Sequence, residues 1–131
     1  DVRFALDVAA MQAGVSDAAP ARDRRLRDAI GAHAGEWREA WARVALGAGA
    51  VRTRTGVERL RGALEALHVP ARLSSGNGYL AGVALALASI ALDENGEPAR
   101  AEALRAILEA TYPEHPANAW LARRAVEGGA L

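Results

Sequence analysis

Two short stretches of this chain carry residue types that could hold an anion. In RTRT, residues 52–55, Arg52 and Arg54 alternate with two threonines in a glycine-flanked segment, and paired guanidiniums can grip a phosphate or carboxylate through parallel N–H bonds. In SSGNG, residues 74–78, the glycines would let backbone amides around Asn77 and Gly78 point at an anion where a helix N-terminus favours negative charge. A ligand or anion site of this kind needs the Arg52/Arg54 loop and the Ser74-to-Gly78 turn side by side around a concavity. No strand pattern precedes SSGNG and no Gly-Lys-Ser/Thr follows it, so the P-loop and dinucleotide fingerprints both fail. The plainer reading makes Asn77 the N-cap of the helix that follows.

Titratable groups offer less. Glu65 and His68 form a Glu-x-x-His, which places both side chains on one side of a helix, but carboxylate-bridged metal bundles need two such motifs and two further glutamates. Only one motif occurs here, so no metal and no cofactor is expected. His68 reads instead as a helix C-terminal residue that complements the dipole. His33 falls on an apolar stripe between Ile30 and Trp37 and is expected to be partly buried and hydrogen-bonded; as a base it would need a second titratable group beside it in a cleft. None of Ser16, Ser74, Ser75 and Ser89 stands in a Gly-x-Ser-x-Gly elbow. The chain has no cysteine, hence no thiolate nucleophile and no sulfur-based zinc site. No catalytic residue is assigned.

Trp37, Trp41 and Trp120 could anchor either the core or a partner, and an exposed one would favour the partner, because tryptophan is enriched at binding hot spots. The sixteen basic residues balance sixteen acidic ones. All the basic ones are arginine and alanine supplies a quarter of the chain, a bacterial-like composition of the kind a GC-rich gene gives. Zero net charge supplies no drive toward nucleic acid or anionic lipid. Within RDRRLRD, residues 22–28, Asp23 with Arg27 and Arg24 with Asp28 sit four apart, the pattern of a solvated helix face.

The elements that position these groups are helical. Apolar residues recur at intervals of three and four and runs of alternating β-branched residues are missing, so the fold class is all-α: six to seven helices in a compact bundle or a short helical-hairpin array. The 131 residues suit a single domain over 1–131, complete or cut from a longer chain. A first helix runs from Val2 to about Ala13, with Phe4, Val8, Met11 and Val15 on one stripe and Gly14 behind it; Ser16 or Asp17 caps the next. Leu26, Ile30, His33, Trp37, Trp41 and Val44 form one face of either a single long helix or two helices broken near Gly35. Residues 47–56, GAGAVRTRTG, read as a loop. Thr55 and Glu58 form a capping box for a helix that Pro70 stops. Pro98 and Pro116 open two further helices, ended at Tyr112-Pro113 and Gly128-Gly129.

Between them, Tyr79 to Leu92 is an apolar run of fourteen residues, too short for the ~20 that cross a bilayer and apolar on all sides. Helix 78–92 is therefore expected at the centre of the bundle, buried. ERLRGALEA (58–66) and EALRAILEA (102–110) echo one another 44 residues apart, a period in the range of HEAT and armadillo repeats. AEALRAILEATYPEHPANAW loosely resembles the second helix of a tetratricopeptide repeat, in Ala103, Ala110 and the prolines, but the register around Gly96 and Pro116 departs from that pattern. These features favour a non-enzymatic helical interaction or structural module, whose partner is another protein or the remainder of a longer chain, in the cytoplasm. The alternative is a small-ligand or anion-binding domain.

Overall fold

The computed structural model describes residues 2–12 and 19–128, and every regular element among them is a helix: α1 Val2–Gln12, α2 Ala19–Ala32, α3 Trp37–Thr53, α4 Gly56–Glu65, α5 His68–Arg72, α6 Gly78–Glu94, α7 Pro98–Thr111 and α8 Pro116–Val126. Gly14, Val15, the Ser16/Asp17 cap and Gly129 lie outside the described residues. No helix is long and apolar enough to cross a membrane among them.

The eighth helix arises where Pro70 was expected to end α4. The amides of Ala66 and Leu67 bond the carbonyls of Ala63 and Leu64, three residues back, at 3.2 and 3.0 Å. That tightened turn re-aims the chain into α5, whose first turn tolerates Pro70 because its missing N–H would have had no helical acceptor. The stripe from Leu26 to Val44 is broken at Gly35, which takes φ +82°, a left-handed conformation open to glycine without a Cβ penalty. Leu26, Ile30 and Trp41 still converge, closing around Val8, Ala42 and Leu46.

The largest correction concerns residues 47–56. Only Arg54 and Thr55 lie outside helix there; residues 47–53 are the last two turns of α3. The glycines and alanines that read as loop are a contact surface. A Cβ built on Gly62 of α4 would collide with the Ala50 methyl, and one built on Gly47 would lie 3.1 Å from the Cβ of Ala66. The pair of helices approaches so closely that side chains larger than alanine do not fit.

α3 and α6 form the spine. Ala40, Val44, Ala48 and Val51 of α3 pack with Leu80, Ala84, Leu87 and Ile90 of α6 in the main core, sealed by Ala63, Ala66, Val69 and Leu73. As expected, α6 is buried nearly throughout, but from Glu39 to Val51 so is most of α3. α1 and α2 cover the far side of α3; α7 and α8 cover the far side of α6 through Leu85, Ala86, Leu108 and Ala117.

Ion pairs give the directions. Arg43 near the start of α3 meets Glu65 at the end of α4, so α4 runs antiparallel to α3. Arg72, just before α6, reaches Glu39 in the first turn of α3. At the far end Arg59 both donates to the Arg54 carbonyl beyond α3 and pairs with Glu94, the last residue of α6. The two spine helices are therefore parallel, and Arg105–Asp93 at 2.6 Å together with Tyr112, at the end of α7, against Gly78, at the start of α6, makes α7 antiparallel to α6.

Candidate functional site

Glu39 is the most elaborately partnered charge in the described residues, and it lies on α3 where the stripe argument sees only apolar neighbours. Its side chain is buried, 2% exposed. Oε2 accepts the Gly35 amide at 2.6 Å, while Oε1 accepts Arg43 Nε and Arg72 Nη2, both at 2.9 Å. Arg43 continues to Glu65 Oε2 at 2.9 Å, and Arg72 Nε donates to His68 Nδ1 at 3.3 Å. Glu65 and His68, the pair singled out from sequence, are thus the two ends of a five-residue polar chain centred on Glu39.

Burial pushes the Glu39 carboxyl up, but the Gly35 amide and the Arg43 and Arg72 guanidiniums outweigh it and hold it at about 2. A carboxylate that ionised is a poor proton carrier near neutral pH, where general acid–base catalysis works best with a matched group. Its evident work is mechanical: it joins the turn before α3 to α3 and α5, and through Arg43 to the end of α4.

That network fixes a helix whose other face is bare. α4 turns Gly62, Ala63 and Ala66 toward α3, and of its own ten residues only Ala63 is buried. Outward stand Val57, 65% exposed, and Leu64, 38% exposed. With half-buried Leu60, and with Arg61, Glu65 and His68, they line a shallow groove of about 410 Å³. Glycine and alanine carry the closest contact with α3, while Val57 and Leu64 stand outside the core that an amphipathic helix ordinarily buries them in.

The remaining candidates are scattered. Arg54 is committed, pairing with Asp23 at 2.9 Å and lying 3.9 Å from Glu58, whereas Arg52 is exposed. Both belong to the end of α3 that faces the C-terminus of α6. Asn77 and Gly78 belong to the opposite, N-terminal end of α6, so the fold does not bring the two loops together around one pocket. Thr55 and Asn77 do stand at N-cap positions, but neither side chain caps. Asn77 instead donates its amide to the Leu73 carbonyl at 2.7 Å.

The RDRRLRD face is not simply solvated. Arg22 and Leu26 are buried, Arg25 grips both Asp7 oxygens at 2.6 Å, and Asp23 goes to Arg54 rather than to Arg27. His33 is half-buried and its Nδ1 lies 3.1 Å from Glu36 Oε2. Trp41 and Trp120 pack against the core. Trp37 is 49% exposed, backed edge-on by Phe4 at 6.1 Å and covered by the Arg38 guanidinium at 4.4 Å.

At the N-terminal end of α6, His115 caps α8. Its Nδ1 accepts the Ala117 amide at 3.0 Å, which leaves Nε2 to donate to the Tyr79 carbonyl at 2.8 Å. The ring stacks on Tyr79 in a space that exists because Gly82 has no side chain. Among the described residues no three His, Asp or Glu side chains converge as a metal-binding group.

No protein-family model, curated protein or solved structure matches this chain. The reading of its site therefore rests on its own geometry. The Glu39 centre was half visible in sequence, as a Glu39/Arg43 pair at i,i+4; nothing in the spacing points to Arg72, 33 residues away.

Proposed function

We propose that the chain is a non-enzymatic helical interaction module that presents the outer face of α4 to a protein partner. The observation that carries this reading is the outer face of α4, where the close contact with α3 through Gly62, Ala63 and Ala66 leaves Val57 and Leu64 in solvent. Apolar side chains grouped on a rigid face are what a partner helix or groove can bury, at about 25 cal/mol per Å² removed from water. The hydrogen-bonded chain through Glu65, Arg43, Glu39, Arg72 and His68 supports the same reading. It ties the end of α4 and the start of α5 to the first turn of α3, and a preorganised face loses less entropy on binding.

A photo-crosslinking side chain placed at Leu64, in cells that carry the natural gene, tests this. An adduct with protein is expected from position 64 and not from the exposed Ala103 of α7. No adduct at 64, or equal adducts from both positions, overturns the reading.

A further inference from the structure

We infer that the partner on this face is a second copy of the same chain, docked through α4 in antiparallel, two-fold fashion; the inference rests on the interaction reading above and names its partner. The outward positions Val57, Arg61 and Leu64 of α4 follow one another at spacings of four and three, the rhythm that lets two helices lie side by side. Charge then selects the orientation. Arg61 is exposed and makes no ion pair among the described residues, while Glu65 on the same face commits only Oε2, to Arg43, and leaves Oε1 open.

A two-fold axis beside residue 63 sets Arg61 level with the partner's Glu65, and by symmetry Glu65 level with the partner's Arg61. At ~1.5 Å rise per residue the two Leu64 side chains then stand about 3 Å apart along the axis and meet at its centre. Val57 of each copy extends the apolar contact on either side. A parallel pairing would instead put Arg61 beside its own copy, and like charges side by side repel.

α4 has ten residues and is about 15 Å long, so the contact falls short of the ~1,000 Å² typical of stable interfaces. The dimer is accordingly weak and concentration-dependent.

Sedimentation equilibrium over a concentration series tests the pairing. The wild-type average mass should rise from 13.7 kDa toward twice that value. Arg61→Glu and Glu65→Arg should each stay monomeric, because each places like charges opposite one another. Mixed in equal amounts, the two variants should associate at least as well as wild type, since both cross-axis pairs are then restored. Circular dichroism of each variant confirms that Glu65→Arg, which also loses its Arg43 partner, remains helical. A wild type monomeric to about 1 mM, or a mixture no more associated than Arg61→Glu alone, overturns the inference. The crosslink at Leu64 separates the two readings. An adduct with a different protein removes the second copy and leaves the interaction face standing, whereas no adduct removes both.

Discussion

α4 and α7 share a sequence echo and a place in the fold, yet they use the shared letters on opposite faces. Each lies antiparallel on a spine helix. At the 44-residue offset of the echo, however, Leu64 corresponds to Leu108 and Ala63 to Ile107. Leu64 is 38% exposed and Leu108 fully buried; Ala63 is fully buried and Ile107 48% exposed. The structural offset is different. α3 opens at residue 37 and α6 at 78, 41 residues apart. At that spacing the inward positions Leu60, Ala63 and Leu67 of the α4 side fall on Ala101, Leu104 and Leu108 of the α7 side. Three residues of slip turn a helix face by about 60°, enough to bring a leucine from core to solvent. Similar letters do not make a structural repeat unless they keep the phase of the helix they pack on.

The same offset sets Glu39, the buried centre of the ionic chain, against Leu80, a plain core residue. One hairpin is fastened by a buried charge and close-packed glycine and alanine, the other by larger apolar side chains with a half-exposed Arg105–Asp93 pair.

The strongest way to break this contrast is at Leu108. Leu108→Ala should cost about 3 kcal/mol in urea unfolding, the usual toll of removing a fully buried leucine; a loss below about 1 kcal/mol would mean that α7 does not depend on its phase. The next effect lies at Glu39. Its carboxyl sits at about 2 in the folded protein, below the ordinary 4.5, so the stability it contributes is present above pH ~4.5 and fades as the pH falls toward 2. Wild type should therefore lose about 2 kcal/mol from this group between pH 6 and pH 3. Asp7, held below its usual value by its hydrogen bonds from Arg25, adds a loss of the same sign. Glu39→Gln should be less stable at pH 6 and show a flatter acid slope, and an unchanged slope would take Glu39 out of that role. The smallest effect is expected at Leu64, where Leu64→Ala should shift monomer stability by no more than ~0.5 kcal/mol. A loss as large as that at Leu108 would show that the exposed face is part of the monomer core.

The sequence was a good guide wherever a residue acts on its own neighbours. The all-α class, the buried α6 and the openings at Pro98 and Pro116 all follow from local rules that the fold obeys, and of the two readings the stripe allowed, the fold takes the break at Gly35. It misled at GAGA, because glycine and alanine read as loop to a propensity argument yet serve here as the surface on which α3 and α4 touch. Pro70 misled for a related reason, its position within a new first turn rather than at a stop. The Arg52/Arg54 and Asn77/Gly78 loops could not be judged from spacing, since their separation is set by the length of α6. The Glu39 centre joins three segments of the chain, and only its Arg43 member lies within a helical turn.

The seat of His115 against Gly82 answers a difficulty peculiar to alanine-rich bundles. Two smooth helices can slide past one another at little energetic cost, because one methyl resembles the next and several alignments compete. The missing side chain on α6 interrupts that monotony. An imidazole fits there, while one turn further along the same face stand Leu85 and Ala86, which pack with Ala117 of α8, so α8 is offered one docking position along α6 rather than a ladder of near-equals. What looks like a void in the sequence thus acts as the notch by which the bundle chooses a single alignment.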